Sequence, residues 1–268
     1  MAEADVGFVH LHVHSSYSLL EGALPVGKLA ELVKKDRQPA IALTDTGNLF
    51  GALEFSEKMA GAGIQPIVGC SLAIDFGDQA GRGPAHAQRP RIVLLAADET
   101  GWGHLMELVS RSYLDTADDG APHIKSDWLE AHHAGLIALT GGPSGPIDKA
   151  LALGAPDVAA QRLEALKALF GDRLYVEVQR HGIGEERRVE RSLIDLAYRL
   201  ELPLVAANEP FFAAQDDYEA HDALICIAEG RLVAEDGRRQ LTPQHRFRTR
   251  AEMMELFADL PEALANTI

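Results

Sequence analysis

The chain has 268 residues, 47% of them hydrophobic and 24% charged, a globular balance that excludes disorder as its organising state. Its 25 basic and 40 acidic side chains give a formal charge of −15, which excludes the broad positive footprint of a protein that grips nucleic acid by its phosphates. Action on nucleic acid stays open through metal ions that invert the local charge, or through a basic surface elsewhere in a larger protein.

The first candidate strand is Phe8–His14 (FVHLHVH), where strict alternation puts His10, His12 and His14 on one face. A helix follows over PVGKLAELVKKD, with Pro25 suited to its start and Leu29, Leu32 and Val33 in one stripe. Strands are then expected at Ala40–Thr44, Pro66–Ile74 and Arg91–Ala97, the last two separated by a Gly/Pro/Ala-rich stretch, 75–90, that reads as a mobile loop. Further strands fall at Gly135–Thr140, Leu174–Gln179 and Pro203–Ala207. Between them lie two helices, PDVAAQRLEALKALFG, stopped by Gly171, and EERRVERSLIDLAYRLEL, charged on one face and apolar on the other. Near the end, Thr249 with Glu252 three residues on forms a capping-box pattern. The final PEALANTI then stops without a cap or tail. A fraying natural end would account for that stop, but a cut from a longer chain is the favoured reading.

Several strands are flush apolar runs (AIALT, IVLLA, LIALT), the pattern of parallel strands buried on both faces. Repeated β-then-α units imply right-handed crossovers, and about seven of them in this length favour a closed or nearly closed barrel. No glycine-rich nucleotide fingerprint follows any strand. No apolar run approaches the ~20 residues that span a bilayer. Glu3 and Asp5 stand where a signal peptide would be basic, and Cys70 and Cys226 make neither a metal pair nor a disulfide framework. A membrane partner is therefore not expected, and a reducing cytoplasm is.

In such a barrel, polar residues at the C-terminal ends of strands share one mouth. His12 and His14 are candidate metal ligands there, with His10 as a third histidine; a chance trio held by hydrogen bonds is the competing reading. Asp45 ends the second strand and serves either as a ligand or as a cap for the helix beginning near Leu49. Glu21, in the loop SLLEG, is placed to swing over the mouth unless it is simply solvated. Glu177 and His181 end the sixth strand.

FVHLHVHSSYSLLEGA, ALTDTGNLFGALEFSEKMAGAGIQPIVGC, LIALTGGPSG, YVEVQRHG and EAHDALICI together resemble the N-terminal PHP (polymerase and histidinol phosphatase) domain of bacterial replicative DNA polymerase alpha subunits. The resemblance implies an α/β fold, a distorted (β/α)7 TIM-like barrel of the PHP type. It divides the chain into a tail at 1–7, a barrel at 8–245, and the truncated start of the following polymerase region at 246–268. In active relatives the barrel holds up to three divalent metals that activate water and clamp phosphate, and some members are 3′→5′ exonucleases. The metal positions that remain by resemblance are His12, His14, Glu21, Asp45 and His181.

The departures are as informative. The family's TDHGN reads Asp45 followed by Thr46, a glutamate is replaced by Ser71, and a histidine by Arg91. Its cysteine is replaced by Gly142, and NDVHY has become Asn208-Glu209-Pro210-Phe211-Phe212. With about half the ligands gone, at least two metal sites should fail, because each needs three or four ligands in fixed geometry. Arg91 would then supply a guanidinium where metal charge is lost. The expected protein is a domain with no catalytic residues of its own and at most one weakly bound divalent metal (Zn, Mn or Mg). It supports the remainder of the polymerase alpha subunit, docks the epsilon proofreading exonuclease subunit, and meets DNA only through the full-length DNA-directed polymerase, a nucleotidyltransferase whose catalytic palm lies beyond this chain. The rivals are a metal-dependent phosphoesterase or 3′→5′ exonuclease with a reduced metal site, and a free-standing phosphatase.

Overall fold

In the computed structural model, which describes residues 7–78, 89–116 and 120–268, the flush apolar runs form one curled sheet. Strands β1 (Ala40–Leu43), β2 (Gln65–Asp75) and β3 (Arg91–Ala96) come first, followed by the two-residue β4 (Ile124–Lys125), which pairs with the C-terminal end of β2. Strands β5 (Leu136–Leu139), β6 (Leu174–Gln179) and β7 (Leu204–Ala207) complete it, in the order β1-β2-β3-β5-β6-β7. Helices α1 (Val26–Asp36), α2 (Ala52–Gly61), α3 (Glu99–Leu114), α4 (Ser126–His132), α5 (Pro146–Ala152), α6 (Pro156–Phe170) and α7 (Gly184–Arg199) alternate with the strands. The chain ends with α8 (Tyr218–Glu229), α9 (Arg250–Leu256) and α10 (Pro261–Ala265). This is the expected α/β architecture, a distorted TIM-like barrel. The loop expected at 75–90 lies largely outside the described residues.

Local signals placed six strands and the helices α1 and α6 to within a residue or two. Pro25 is the N-cap of α1, Gly171 terminates α6, and Thr249 accepts from the Glu252 N–H while the Glu252 side chain returns to Thr249. Asp98, not singled out in the sequence, caps α3 by accepting from the Gly101 N–H at 2.8 Å.

Two expectations need correction. Phe8–His14 is not a regular strand. The Val13 N–H donates to the Thr44 hydroxyl at 2.8 Å and the His10 N–H to the Gln38 side chain at 3.3 Å, so side chains take the donors that a ladder would use. The segment still spans the gap between the sheet's two edges. Ala42 and Thr44 donate to the carbonyls of His10 and Val13, and His14 donates to the carbonyl of Pro210, just beyond β7. The sheet is also not wholly parallel, because β3 pairs antiparallel with both β2 and β5. A strand buried on both faces reads as the same apolar run in either direction, so the sequence pattern carries no sign of the reversal.

The reversal matters for function. It brings the first residue of β3, Arg91, to the rim where the parallel strands end, opposite Ala73 of β2. Inside the barrel, Ala42, Val93, Leu95, Leu139 and Val205 pack together with Leu11, all drawn from the sheet and the segment that closes it. A larger layer lies between sheet and helices and includes Leu94, Leu105, Leu163, Val176 and Leu193. Met253, Phe257, Ala263 and Leu264 of the last helices join that layer, and Asn266 donates to the Leu204 carbonyl of β7. Among the described residues, no helix is long and apolar enough to cross a membrane.

Candidate functional site

Period-two alternation decides what enters the barrel mouth. In β6, Val176 and Val178 face the helical layer, so Tyr175, Glu177 and Gln179 face inward, Tyr175 against the barrel interior. Glu177 is wholly buried and accepts from His12 Nδ1 at 2.8 Å, from Gln179 at 2.6 Å and from the Gly141 N–H at 3.1 Å. This places a proton on His12 Nδ1 and leaves Nε2 turned toward Glu209, the orientation that a carboxylate imposes on a metal-binding imidazole. His12 Nε2 is buried without a hydrogen-bond partner, although Glu209 Oε1 lies 3.5 Å away as an ion-pair neighbour.

His14 completes the centre. Its Nε2 lies 3.3 Å from Glu209 Oε1, and its Nδ1 lies 2.9 Å from the Ser18 hydroxyl. Glu209 follows β7 with φ 45°, a left-handed backbone that a non-glycine residue adopts at a cost of about 1 kcal/mol. Ligand atoms of His12, His14 and Glu209 all lie within 4.8 Å of one another, and all three residues are buried. Burial would lower the His12 pKa, but the carboxylates of Glu177 and Glu209 outweigh it and raise it. Burial likewise opposes ionisation of Glu209, yet His12 and His14 hold it well below the usual carboxylate range. The orphaned His12 nitrogen and the converging donors fit one divalent ion.

The other sequence-derived positions are engaged elsewhere. His10 does not share the face of His12 and His14. Its ring packs between Phe8 and Phe247, its Nε2 bonds the Arg248 carbonyl at 2.8 Å, and burial lowers its pKa to about 4. The departure from regular strand geometry is what turns it away. Asp45 neither caps α2, whose N-cap is Gly51, nor joins the triad. It accepts from the Ser15 N–H and hydroxyl at 2.7 Å each and from the Ser18 hydroxyl at 2.6 Å. His181 has both ring nitrogens facing acceptors, Glu186 at 2.8 Å and the Asn208 carbonyl, and stacks on His245 at 3.7 Å.

Glu21 is gripped by two guanidinium groups. Arg91 donates to it at 3.1 and 3.0 Å, Arg239 at 3.0 Å and the Thr46 hydroxyl at 2.7 Å. Burial would raise its carboxyl, but Arg91 and Arg239 bring it down to about 2. Thr46 and Arg91, which stand where the resemblance implies two histidines, both serve Glu21. Phe211, at a third such position, stacks on the His14 ring at 4.3 Å with 9° between planes.

Neither Glu177 nor Glu209 is among the five metal positions expected from the sequence. Glu177 stands at the end of the sixth strand, two residues from Gln179 and two from Tyr175 on the inward face, and that period is the signal for it. Glu209 keeps a carboxylate where the resemblance has aspartate, but its direction depends on a left-handed turn after β7.

A family model described as the PHP domain matches residues 10–181. The DNA polymerase III subunit alpha of Caulobacter vibrioides is 45% identical over 98% of this chain, and that of Treponema pallidum 37% over 99%. The chain spans about a quarter of either relative, 23% of each. A solved structure from Bifidobacterium adolescentis, named as a candidate metal-dependent phosphoesterase, superposes with a TM-score of 0.50 at 15% identity, covering 75% of this chain and 86% of its own. That likeness concerns the fold.

Proposed function

Because the chain belongs to the PHP domain family, we propose that it is the N-terminal PHP domain of a bacterial replicative DNA polymerase III alpha subunit, with a degenerate metal site and no hydrolytic activity of its own. The observation that carries this reading is the fate of the five expected metal positions. Only His12 and His14 converge, while Asp45 is held by two serines, His181 by Glu186 and a carbonyl, and Glu21 by Arg91 and Arg239. A cluster of several metals needs those groups as ligands, and here each already has an internal partner. The work of the domain is structural: the barrel at 8–245, behind the tail at 1–7, supports the polymerase region that begins at 246–268 and offers a surface to the epsilon proofreading subunit. DNA meets it only through the full-length polymerase, in the cytoplasm.

Metal analysis by mass spectrometry on the purified chain, with a 3′-labelled DNA degradation assay, tests this. The expected result is less than one tightly bound metal per chain and no degradation. Two or more tightly bound metals with nuclease activity lost in His12→Ala would overturn it.

A second reading has its own support in the His12–His14–Glu209 triad: a phosphoesterase or 3′→5′ exonuclease working with a single ion. Its signature is activity that rises with added Mn²⁺ or Zn²⁺ and disappears in Glu209→Gln.

A further inference from the structure

The chain leaves α8 at Gly230, with φ 63°, and runs without helix or strand to Thr242. Its first part folds on itself. The Leu232 N–H donates to the Glu235 carboxylate at 3.0 Å, the Glu235 N–H to the Leu232 carbonyl at 3.0 Å, and Arg231 pairs with the same carboxylate. A second left-handed glycine, Gly237 at φ 69°, follows. A Cβ at either glycine would meet open space, so what glycine supplies there is backbone freedom, not room. No side chain of 231–240 joins a hydrophobic core cluster, and Leu232 and Val233 stand 70% and 57% exposed.

Charge holds this segment down instead. Arg238 donates to both oxygens of Asp222 on α8 at 2.6 Å each, and the adjacent Arg239 donates to Glu21, in the loop before α1, at 3.0 Å. Neighbouring arginines therefore tie the segment to two different parts of the fold. Its far end is fixed, because the Tyr218 hydroxyl donates to the Leu241 carbonyl at 3.1 Å and the Thr242 hydroxyl to that of His181 at 3.0 Å. Arg239 and Leu241 line a solvent-open cleft of about 570 Å³ at the barrel mouth, together with Arg91, Gln179 and Glu209.

Release of these ties strands no buried charge. Glu21 keeps both nitrogens of Arg91 and the Thr46 hydroxyl, and its carbonyl keeps His221 at 2.7 Å. Both arginines leave with the segment into water, and Asp222 meets the water that replaces it. Little apolar area is uncovered, so local opening costs far less than unfolding. We propose that residues 231–240 are a strap over the barrel mouth, latched by Arg238 on Asp222 and by Arg239 on Glu21, whose release widens the way to Gln179 and Glu209. Gly230 and Gly237 take up the rotation, and Leu241 stays anchored. Both latches are ion pairs, so salt shifts the balance toward the open form.

Amide hydrogen exchange of the 268-residue chain, read by peptide mass, tests this. In the wild type the 231–240 amides should exchange more slowly than in an unstructured peptide and far faster than those of β5 and β6. Combining Arg238→Gln with Arg239→Gln should quicken exchange in 231–240 at least about tenfold and leave β5 and β6 unchanged. Raising salt from about 0.1 M to about 1 M should quicken it in the wild type and not in that variant. The thiol of Gln179→Cys reads the mouth itself, and its reaction with a small thiol reagent should accelerate when the two arginine changes are added. Should Gln179→Cys not fold, Ser144→Cys, also on the cleft lining, takes its place. Should the arginine variants not fold, the salt series on the wild type decides alone. Strap exchange indifferent to the arginines or to salt, or as slow as that of β5 and β6, overturns the proposal. Faster strap exchange with an unchanged thiol reaction overturns it too, since the segment then covers no entrance.

Discussion

Arg91 and Glu21 lie 70 residues apart in the chain and meet in a two-pronged ion pair at 3.0 and 3.1 Å. They meet because β3 is reversed, so that its first residue stands at the rim the other strands reach last. Both side chains are largely buried, and a pair of this kind is costly to break from one side only. Arg91→Met should therefore cost about 2 kcal/mol in urea unfolding. Combining it with Glu21→Gln should cost less than the sum of the two single changes by at least ~1 kcal/mol, the mark of a coupled pair. Strict additivity in the double-mutant cycle would show the pair to be energetically idle.

The same carboxylate gives the fold an acid dependence. Glu21 is held at about 2, below its ordinary 4.5, so the folded state gives up the proton more readily than the unfolded chain. The resulting stabilisation is complete above about pH 4.5 and fades as pH falls toward 2. Glu209, also held low, acts in the same direction. The melting temperature of the wild type should drop through this window, and Glu21→Gln should flatten the drop. Parallel curves for the two proteins would contradict the assignment.

Asp148 of α5 acts in the opposite sense. Burial, with Glu177 adding to it, raises its carboxyl to about 8 from an ordinary 3.8, and its Oδ2 has no hydrogen-bond partner. The folded state here keeps a proton that the unfolded chain releases, so stability declines as pH rises from about 3.8 to 8. Asp148→Asn cannot ionise. It should stabilise the protein progressively across that range, by a few kcal/mol at the upper end, with the gain level beyond pH 8. Melting curves at pH 5, 7 and 8.5 measure this, and a gain independent of pH would refute the cause.

Phe211 occupies a position where a ligand is expected by resemblance, flat against His14. Phe211→His would add a nitrogen donor beside His12, His14 and Glu209, taking the number of protein donors from three to four. Zinc affinity, measured by competition with a chromophoric chelator, should rise at least about tenfold. No change would mean that the imidazole at this position does not reach the triad.

Much of this architecture was legible in the chain itself. Apolar runs placed β1, β2, β3, β5, β6 and β7, and Pro25, Gly171 and the Thr249–Glu252 box marked helix ends, because these are local effects of a few neighbouring residues. β4 was missed, since two residues carry no period, and so were the helices α3, α4, α5 and α8. The site was legible only in part. The alternating histidines drew attention to His12 and His14, but the same alternation wrongly grouped His10 with them, because a side chain such as Thr44 can divert a backbone donor in ways that no spacing rule records.

The sequence by itself determined six strands, the helices α1, α6 and α7, the barrel class, the acidic balance and the membership of the family, all of which follow from local pattern and residue identity. Tertiary structure alone decided which charges meet. The reversal of β3 carried Arg91 to Glu21, the left-handed turn at Glu209 aimed a carboxylate at two histidines, and Arg239 arrived from 218 residues away. Electrostatic interaction depends on distance through space, which the order of residues along the chain does not encode. A chain with a formal charge of −15 thereby folds around a positively lined mouth.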